Sequence, residues 1–464
     1  MWFFEENKII DENLQHRMME NLVARAKEKF GTIKRVMLLP PDITRYPSGS
    51  GLLTNMLYHL LEKEAVVDVM PTLGQHVAHT PEENRWMFGD IPEEHIFKHD
   101  WKNGVVRLGE IEKDFVSNAT GGLADWAIPI EINRMVVEGK YDLVIHIGQI
   151  VPHEVLGFSN HNKNYFIGIG GKGTITASHM AAALCGIENN LGQLVTPLRG
   201  CYNYAEEKYL GNIPDVYVEI VKTRNEAGQT EMTGLYVGEG ADTYVKAARY
   251  ARSNTIYMFD KPIPKVVCYM DGAEFRSTWV ANKAIYRTRK VIADGGELII
   301  LAPGVERFGE QEEVDRLIRK YGYKGTPHTL EAFAADPELH DLAHAAAHLI
   351  HGSSEGRFTI TYAPGHLTKE ETELVGFHYM NYEEAAKKYN PSVLKQGWNE
   401  VDGETIYYID TPALGLWTAK DKYQASLKNN MDFCERMIQK YPDEKVWKQI
   451  REWNLEDIAE LGLE

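Results

Sequence analysis

DLVIHIGQIV, at residues 142–151, predicts a β-strand that is apolar throughout. Strands of that kind occur in parallel sheets that are covered by helices on both faces. Upstream, RVMLLPP (35–41) and VVDVMPTLG (66–74) predict two more strands, and residues 52–61 between them have an amphipathic helical pattern. Because strands alternate with helices, the sequence indicates an α/β fold with a mainly parallel, doubly wound sheet.

The same alternation starts again after the two prolines of Lys261-Pro262-Ile263-Pro264, with KVVCYMDG, GGELIILAPG and RFTITYAP as predicted strands. We therefore expect an N-terminal catalytic and cofactor-binding domain at 1–260 and a second α/β domain at 261–420. Residues 421–464, rich in Lys, Glu, Trp and Leu, predict a helical C-terminal extension. The expected active site is the interdomain cleft, at the carboxyl ends of the strands.

Composition excludes several kinds of partner. The chain has 464 residues and a net charge of −17, from 50 basic and 67 acidic side chains. Nucleic acids and anionic membranes recruit clustered Lys and Arg, so we expect neither as a partner. The four cysteines are widely separated, which fits neither a disulfide framework nor a zinc site. With no signal-peptide pattern and no long apolar run, the sequence favours a cytoplasmic protein.

Chemically useful side chains follow the first of these predicted strands. Asp42 and Arg45, three residues apart, can orient a ribose hydroxyl, a phosphate or a carboxylate, because the guanidinium offers a bidentate fork. The alternative is that Asp42 only caps a helix and Arg45 lies on the surface.

A second candidate follows the strand at 66–74. His76 lies in a loop just before Thr80, which together with Pro81 and Glu83 forms a well-defined helix start. A histidine at that place can act as a general base, although a lone loop histidine is more often structural. His76 and His79 could also ligate a metal, but no further ligand lies at a suitable spacing.

The densest group of reactive residues extends from His153 through Lys163 to His179, and contains several glycines. Its apolar flanks argue against a solvated loop and favour a functional site. A last candidate is Trp279 to Lys283, in a helical pattern, where a lysine is ordinarily solvated.

Gly168-x-Gly170-x-x-Gly173 formally matches the dinucleotide fingerprint. Its context is wrong, because the fingerprint follows the first strand of a βαβ unit and needs an acid at the end of the next strand. Glu188 has the right distance, but the residues around it do not predict a strand.

Together these segments resemble the lactate racemase family over most of the chain. The resemblance rests on joint spacing, and the matching residues are Asp42, Thr44, Arg45, Gly74, His76, His153, Gly157, Phe158, Ser159, Lys163, Gly168, Thr174, Ile175 and His179. It implies a nickel-pincer nucleotide cofactor (pyridinium-3,5-bisthiocarboxylic acid mononucleotide nickel), bound covalently through Lys163 and ligated at nickel by His179. Cofactor-maturation proteins are then expected partners.

The resemblance also implies roles for the other residues. His76 and His153 are expected as acid and base on opposite faces of the substrate. Arg45 and Lys283 are expected to hold the substrate's oxygen or carboxylate, with Trp279 beside them. The expected cofactor-binding residues besides Lys163 are Asp42, Thr44, Ser159 and Gly168.

Chemistry explains the need for two histidines. A C–H bond beside a hydroxyl is too weak an acid to be ionised by a side chain, but it can leave as hydride if the hydroxyl proton also leaves. An imidazole titrates near neutral pH and can carry that proton. The planar carbonyl then accepts hydride on either face.

The chain departs from the family's pattern around the substrate. Asn160-His161-Asn162 stands before Lys163 where the family has two glycines, and Trp279-Val280 stands where it has Tyr-Gln. These changes favour a longer, more polar substrate than lactate. The first choice is a sugar acid such as an aldonate, epimerised at C2, and the next is an aldose epimerised at C2. The other hypotheses are an NAD-dependent dehydrogenase and a non-catalytic sugar-binding protein.

Overall fold

The computed structural model describes residues 1–225 and 228–462. The mixed α/β fold with mainly parallel sheets is confirmed. Strands of the described chain are β1 (Phe3–Glu6), β2 (Arg35–Leu39), β3 (Val66–Val69), β4 (Val105–Ile111), β5 (Ile128–Asn133), β6 (Leu143–Gln149), β7 (Pro152–His153), β8 (Gly157–Phe158), β9 (Asp215–Arg224), β10 (Thr230–Gly238), β11 (Ile256–Phe259), β12 (Ile263–Tyr269), β13 (Ile292–Ala302), β14 (Thr359–Pro364), β15 (His378–Tyr379), β16 (Gly397–Val401), β17 (Glu404–Ile409) and β18 (Leu416–Ala419).

Its helices are α1 (Glu12–Phe30), α2 (Ser50–Leu61), α3 (Pro81–Phe88), α4 (Lys113–Thr120), α5 (Arg134–Glu138), α6 (Lys172–Leu184), α7 (Ile187–Asn190), α8 (Pro197–Tyr209), α9 (Ala241–Thr255), α10 (Thr278–Ala281), α11 (Lys283–Thr288), α12 (Glu312–Tyr321), α13 (Thr326–Ala335), α14 (Pro337–Asp341), α15 (Ala343–His351), α16 (Lys369–Leu374), α17 (Tyr382–Lys388), α18 (Lys420–Lys440) and α19 (Lys445–Glu460). In the described part of the chain, no helix combines the length and apolarity that a membrane crossing requires.

The chain divides into two compact units, each built from several segments. Unit 1 consists of Met1–Ser178, Leu194–Asn254 and Phe433–Glu456. Unit 2 consists of His179–Gln193, Thr255–Asp432 and the described residues from Asp457 onward. The division into domains at residues 260 and 420 stays a prediction.

The central sheet of unit 1 has the strand order β1-β10-β9-β6-β2-β3. β2 pairs in parallel with β3 and β6, and β6 pairs in parallel with β9. Four successive side chains of β2, from Val36 to Leu39, are fully buried, and so are five of β6, from Leu143 to Ile147. The sheet is therefore covered on both faces, as the apolar run at 142–151 predicts.

The other edge of this sheet is antiparallel, because β10 pairs antiparallel with β9 and β1 pairs antiparallel with β10. The apolar patterns of the sequence do not predict this edge. Antiparallel neighbours need no crossover helix, so the strand-helix alternation that reveals parallel strands does not mark them.

The main sheet of unit 2 has the order β15-β14-β13-β12-β17-β16 and is parallel except for the β16–β17 pair. Three of its four inner strands, β12, β13 and β14, are those predicted from KVVCYMDG, GGELIILAPG and RFTITYAP. The helical stretch predicted at Trp279 to Lys283 consists of two short helices, α10 and α11, which meet at Asn282. The C-terminal tail is helical, in α18 and α19, as predicted.

Candidate functional site

Asp42 joins two of the predicted site segments. It follows β2 and caps a short 3-10 helix (Ile43–Ser48), with its Oδ1 accepting a hydrogen bond from the Thr44 backbone N–H at 2.8 Å. Its other oxygen, Oδ2, lies 2.6 Å from Nδ1 of His76. Asp42 is therefore both a helix cap and the partner that orients a candidate catalytic histidine.

The proton state of this pair follows from the charges around it. Burial by itself would raise the pKa of the Asp42 carboxyl, but the charge and hydrogen bond of His76 hold that pKa well below its ordinary value. An ionised carboxylate can only accept, so Nδ1 of His76 carries the hydrogen. Nε2 is then the ring atom available for proton transfer, on a side chain that is 48% exposed.

His153 is held with the opposite ring polarity. It lies in β7, which pairs antiparallel with β8, and its Nδ1 accepts a hydrogen bond from the Val155 backbone N–H at 3.2 Å. When this imidazole is neutral, its proton therefore lies on Nε2. A neutral His76 has a lone pair at Nε2 and a neutral His153 has a hydrogen there, so the two rings are complementary as base and acid.

Lys163 is half-buried and directly precedes a single π-helical turn, Asn164–Gly168. None of the described side chains forms an ion pair or a hydrogen bond with its amine. The pKa of Lys163 is lowered to about 8, chiefly by burial and also by the positive charge of Arg45, while Glu154 and Asp42 act in the opposite direction. Part of this amine is therefore neutral near neutral pH, which is the nucleophilic form of a lysine.

These electrostatic effects show that three segments meet in unit 1. The charges of Asp42, Arg45 and Glu154 all act on Lys163. In addition, the Gly74 N–H, in the loop of His76, donates to the carbonyl of Gly168 at 2.8 Å. The segments singled out in the first half of the sequence therefore converge in one region.

Gly168 has a packing reason for being a glycine. A Cβ at this position would lie 2.6 Å from the Cβ of Thr72. Only glycine therefore allows the segment after Lys163 to approach the end of β3, which leads to His76. The Gly168–Gly173 stretch follows the π-helical turn rather than a strand. The dinucleotide interpretation therefore gains no support from its context.

The hydroxyls of two predicted cofactor-binding residues are engaged by the protein itself. Ser159 Oγ donates to the carbonyl of Gln149 at 2.6 Å and accepts from the Val151 N–H at 3.0 Å. Thr44 Oγ1 donates to Asp42 at 2.5 Å. Both side chains support the local backbone, and their role in cofactor binding stays a prediction.

Three predicted residues belong to unit 2. His179 is half-buried in α6. Lys283 begins α11, with its Nζ 5.5 Å from the ring centroid of Phe275, and Trp279 in α10 packs against His348 with the ring centroids 4.2 Å apart. Their roles as nickel ligand and substrate-binding residues stay predictions. Among residues 1–225 and 228–462, no group of three or more histidines, cysteines or acids is arranged to hold a metal ion.

Two residues next to the lysine segment were missed by the sequence analysis. Glu219 in β9 and Arg199 in α8 are fully buried, and both bind the backbone or side chains just before Lys163. The signal for Glu219 was a charged residue in the middle of the apolar run DVYVEIV, which predicts a buried strand. Nothing in the helix pattern around Arg199 distinguishes it from a surface arginine.

Comparison with protein families finds a match in the first part of the chain. Residues 4–190 match the profile of the lactate racemase N-terminal domain. That range contains every predicted site residue except Trp279 and Lys283.

Relatives and solved structures agree with this match. The chain is 23% identical to lactate racemase from Thermoanaerobacterium thermosaccharolyticum over 310 residues, which cover 64% of this chain and 67% of the relative. A crystal structure of a protein from Thermotoga maritima superposes with a TM-score of 0.74 and 26% identity, over 89% of this chain and 100% of the other. The structure of the Thermoanaerobacterium lactate racemase apoprotein has the same fold, with a TM-score of 0.64 and 16% identity over 88% and 93% of the two chains.

Proposed function

We propose that this chain, whose residues 4–190 match the lactate racemase N-terminal domain, is an isomerase of that family and inverts the hydroxyl-bearing carbon C2 of a 2-hydroxy acid. The observation that carries the proposal is the pair of imidazoles with complementary ring states. His76 is fixed by Asp42 and His153 by the Val155 N–H, and both belong to the same unit as Lys163.

Inversion needs a proton acceptor for one hydroxyl and a proton donor for the other. Nε2 of His76 accepts the proton of the substrate hydroxyl, and the ionised Asp42 stabilises the imidazolium that forms. Nε2 of His153 donates a proton to the substrate oxygen when the product with the opposite configuration at C2 forms. Reversing these roles converts the other stereoisomer, so the same two side chains serve both directions.

The chemistry of two predicted residues supports a nickel-pincer nucleotide as the cofactor. Lys163 offers a partly neutral amine, without a partner among the described residues, for the thioamide bond, and the imidazole of His179 is a suitable donor to square-planar nickel(II). When bound, that group supplies the hydride acceptor and donor. Around it we assign Asp42, Thr44, Ser159 and Gly168 to the cofactor side of the site. Attachment would require cofactor-maturation proteins as partners.

Arg45 is assigned to the substrate. Its guanidinium is half-buried beside Asp42 and Lys163, where it can orient the substrate hydroxyl or hold a carboxylate. Lys283 and Trp279 of unit 2 are proposed as further substrate contacts, with Lys283 for the carboxylate.

A sugar acid such as an aldonate is the substrate that we propose. Tyr46, the residue after Arg45, stacks on Trp86 with the ring centroids 4.4 Å apart, and these side chains are 43% and 61% exposed. An exposed aromatic face suits the C–H face of a polyhydroxylated chain better than it suits lactate. The ammonium of Lys283 lies over the ring of Phe275. If this ammonium does not bind a substrate carboxylate, an aldose epimerised at C2 is the second candidate.

A panel of C2-deuterated 2-hydroxy acids, aldonates and aldoses tests this function. The enzyme is produced together with cofactor-maturation proteins and assayed in deuterium-free buffer. We expect an aldonate to be epimerised with the deuterium retained at C2, because hydride leaves and returns within one site. Complete loss of the label to solvent would indicate proton abstraction from carbon and contradict the proposal.

Substitution of the two histidines tests their assignment. His76→Ala and His153→Ala should each reduce net inversion by about 10²- to 10⁴-fold, the usual contribution of a general acid or base. Nickel content, measured by elemental analysis, should be unchanged. His16→Ala, which removes an exposed imidazole from α1 of the same unit, is the control. Loss of nickel from either catalytic variant would show that base and ligand are misassigned.

A further inference from the structure

The three residues before Lys163, Asn160-His161-Asn162, form a segment that we call the lysine loop. Asn160 and His161 have φ angles of 60° and 58°, so two successive residues with side chains adopt the left-handed conformation. Both are buried, with exposures of 5% and 1%. Non-glycine residues persist in this conformation only where their surroundings hold them there.

Glu219 holds the first half of the lysine loop. Its carboxylate, fully buried in β9, accepts hydrogen bonds from Nδ1 of His161 at 2.9 Å and from Nδ2 of Asn160 at 2.5 Å. The Asn160 amide also donates to the carbonyl of Gly148 in β6 at 3.2 Å. A Cβ at Gly148 would lie 2.3 Å from Asn160 Oδ1, so the loop packs directly on the sheet.

The second half of the loop is held from α8. Arg199 donates to Oδ1 of Asn162, and also to the carbonyl of Phe158 at 2.6 Å. Nδ2 of Asn162 donates to Asn203 at 2.7 Å and to Glu206 at 2.8 Å. Every polar atom of the Asn162 side chain therefore has a partner in α8, and the backbone leading to Lys163 is fixed on two sides.

We propose that Glu219 is a positioning residue, which locks the left-handed turn at Asn160 and His161 and thereby fixes the backbone from which the Lys163 amine extends. The purpose of that amine rests on the proposed function, but the positioning itself does not.

The contrast along the loop distinguishes positioning from general stabilisation. The side chains of the three loop residues are all bound to the protein, whereas the amine that follows them has no partner among the described residues. Burying a carboxylate costs desolvation free energy, and the Glu219 carboxylate is buried where it accepts hydrogen bonds from two side chains of one strained turn. A site that holds a reactive amine for attack needs this combination of rigid support and unused donors.

The titration of Lys163 in the protein without cofactor tests the proposal. Competitive acetylation with acetic anhydride, followed by peptide mass spectrometry, reports the pH midpoint of Lys163 labelling. We expect a midpoint near 8 in the unaltered protein. In Glu219→Ala the loop is released and the ammonium becomes hydrated, so the midpoint should rise by about 1 pH unit or more towards the ordinary lysine value. Glu219→Gln keeps the shape and one acceptor, and should give a smaller rise.

Asp68→Asn is the matched control. Asp68 is also a buried carboxylate of this sheet, but it binds Tyr141 and Arg35 and does not contact the lysine loop. This variant should lose stability and leave the Lys163 midpoint unchanged. If Glu219→Ala does not fold, the Gln variant decides.

A midpoint that is unchanged in a folded Glu219 variant would overturn the positioning role. The mass of protein produced with cofactor-maturation proteins gives a second readout, and we expect at least a tenfold loss of the attached fraction in Glu219→Ala. If the midpoint shifts as expected but the unaltered protein never carries an attached cofactor, the proposed function fails while the positioning role stands.

Discussion

Lys163 in unit 1 and Lys290 in unit 2 both have strongly lowered pKa values, but they differ in the hydrogen bonds that their amines make. Burial lowers the pKa of Lys290 in unit 2 to about 7, and that of Lys163 in unit 1 to about 8. Nζ of Lys290 donates to the carbonyl of Glu188 at 3.0 Å and to Ser426 Oγ at 2.8 Å. The amine of Lys163 has no such partner among the described residues.

The neighbours of Lys290 explain why its donors are used. The carboxylate of Glu188 accepts hydrogen bonds from Arg289 at 3.1 Å and from Arg357 at 2.7 Å. These bonds tie the segment His179–Gln193 to the rest of unit 2, and Lys290 adds to the same junction. A lowered pKa therefore does not by itself mark a functional lysine, and the unused donors distinguish Lys163 from a structural residue.

The largest expected difference between the two lysines is in cofactor attachment. Lys163→Ala should abolish the covalent mass increase that we expect when the protein is produced with cofactor-maturation proteins, because the thioamide bond is assigned to this amine. Lys290→Ala should keep it in the folded fraction. Intact-protein mass spectrometry measures both. An unchanged mass increase in Lys163→Ala would show that Lys163 is not the residue to which the cofactor is attached.

For folding stability we expect the larger effect from the Lys290 substitution. Lys290→Ala removes a fully buried side chain and two hydrogen bonds, so we expect a loss of about 2–4 kcal/mol in the free energy of unfolding. Lys163→Ala removes a half-buried side chain whose amine has no partner among the described residues, and should change this free energy by less than about 1 kcal/mol. Urea unfolding at pH 10, where the penalty for burying either ammonium is nearly absent, gives both values. A larger loss for Lys163→Ala would mean that its amine has a structural partner.

The sequence predicts much of the framework of this site, because the framework depends on local patterns. The apolar run at 142–151 indicates a doubly covered strand, and Thr80, with Glu83, predicts the capping box that begins α3. Both depend on residues within a few positions of each other.

The contacts that define the site are not local. The bond between Asp42 and His76 joins residues 34 positions apart, and the bond between His161 and Glu219 joins residues 58 positions apart. Asn160 and His161 illustrate the difficulty further. These two residues stand where the resembling family has glycines, and the backbone nevertheless has positive φ angles at both, with the distant carboxylate of Glu219 bound to their side chains. A single sequence does not reveal which strand supplies that support.

The pH dependence of stability tests the burial that the two lysines share. In the unfolded chain both should titrate near 10.4. Between pH 8 and that value the unfolded chain keeps the Lys163 proton that the folded chain has released, so folding stability rises with pH, and the full penalty is present below pH 8. Lys163→Met should remove this contribution. Relative to the unaltered protein, the variant should therefore gain about 1–2 kcal/mol at pH 7, and the gain should vanish near pH 10.

Lys290→Met supplies the comparison curve. Its gain relative to the unaltered protein should begin to fall about one pH unit lower, since the pKa of Lys290 is about 7. The whole curve should also lie lower, because methionine cannot replace the bonds to Glu188 and Ser426. Urea midpoints measured from pH 6 to 10 provide both curves. A Lys163→Met difference that stays flat over this range would show that its ammonium is hydrated in the folded protein, and the distinction between a bound and an unused buried amine would no longer hold.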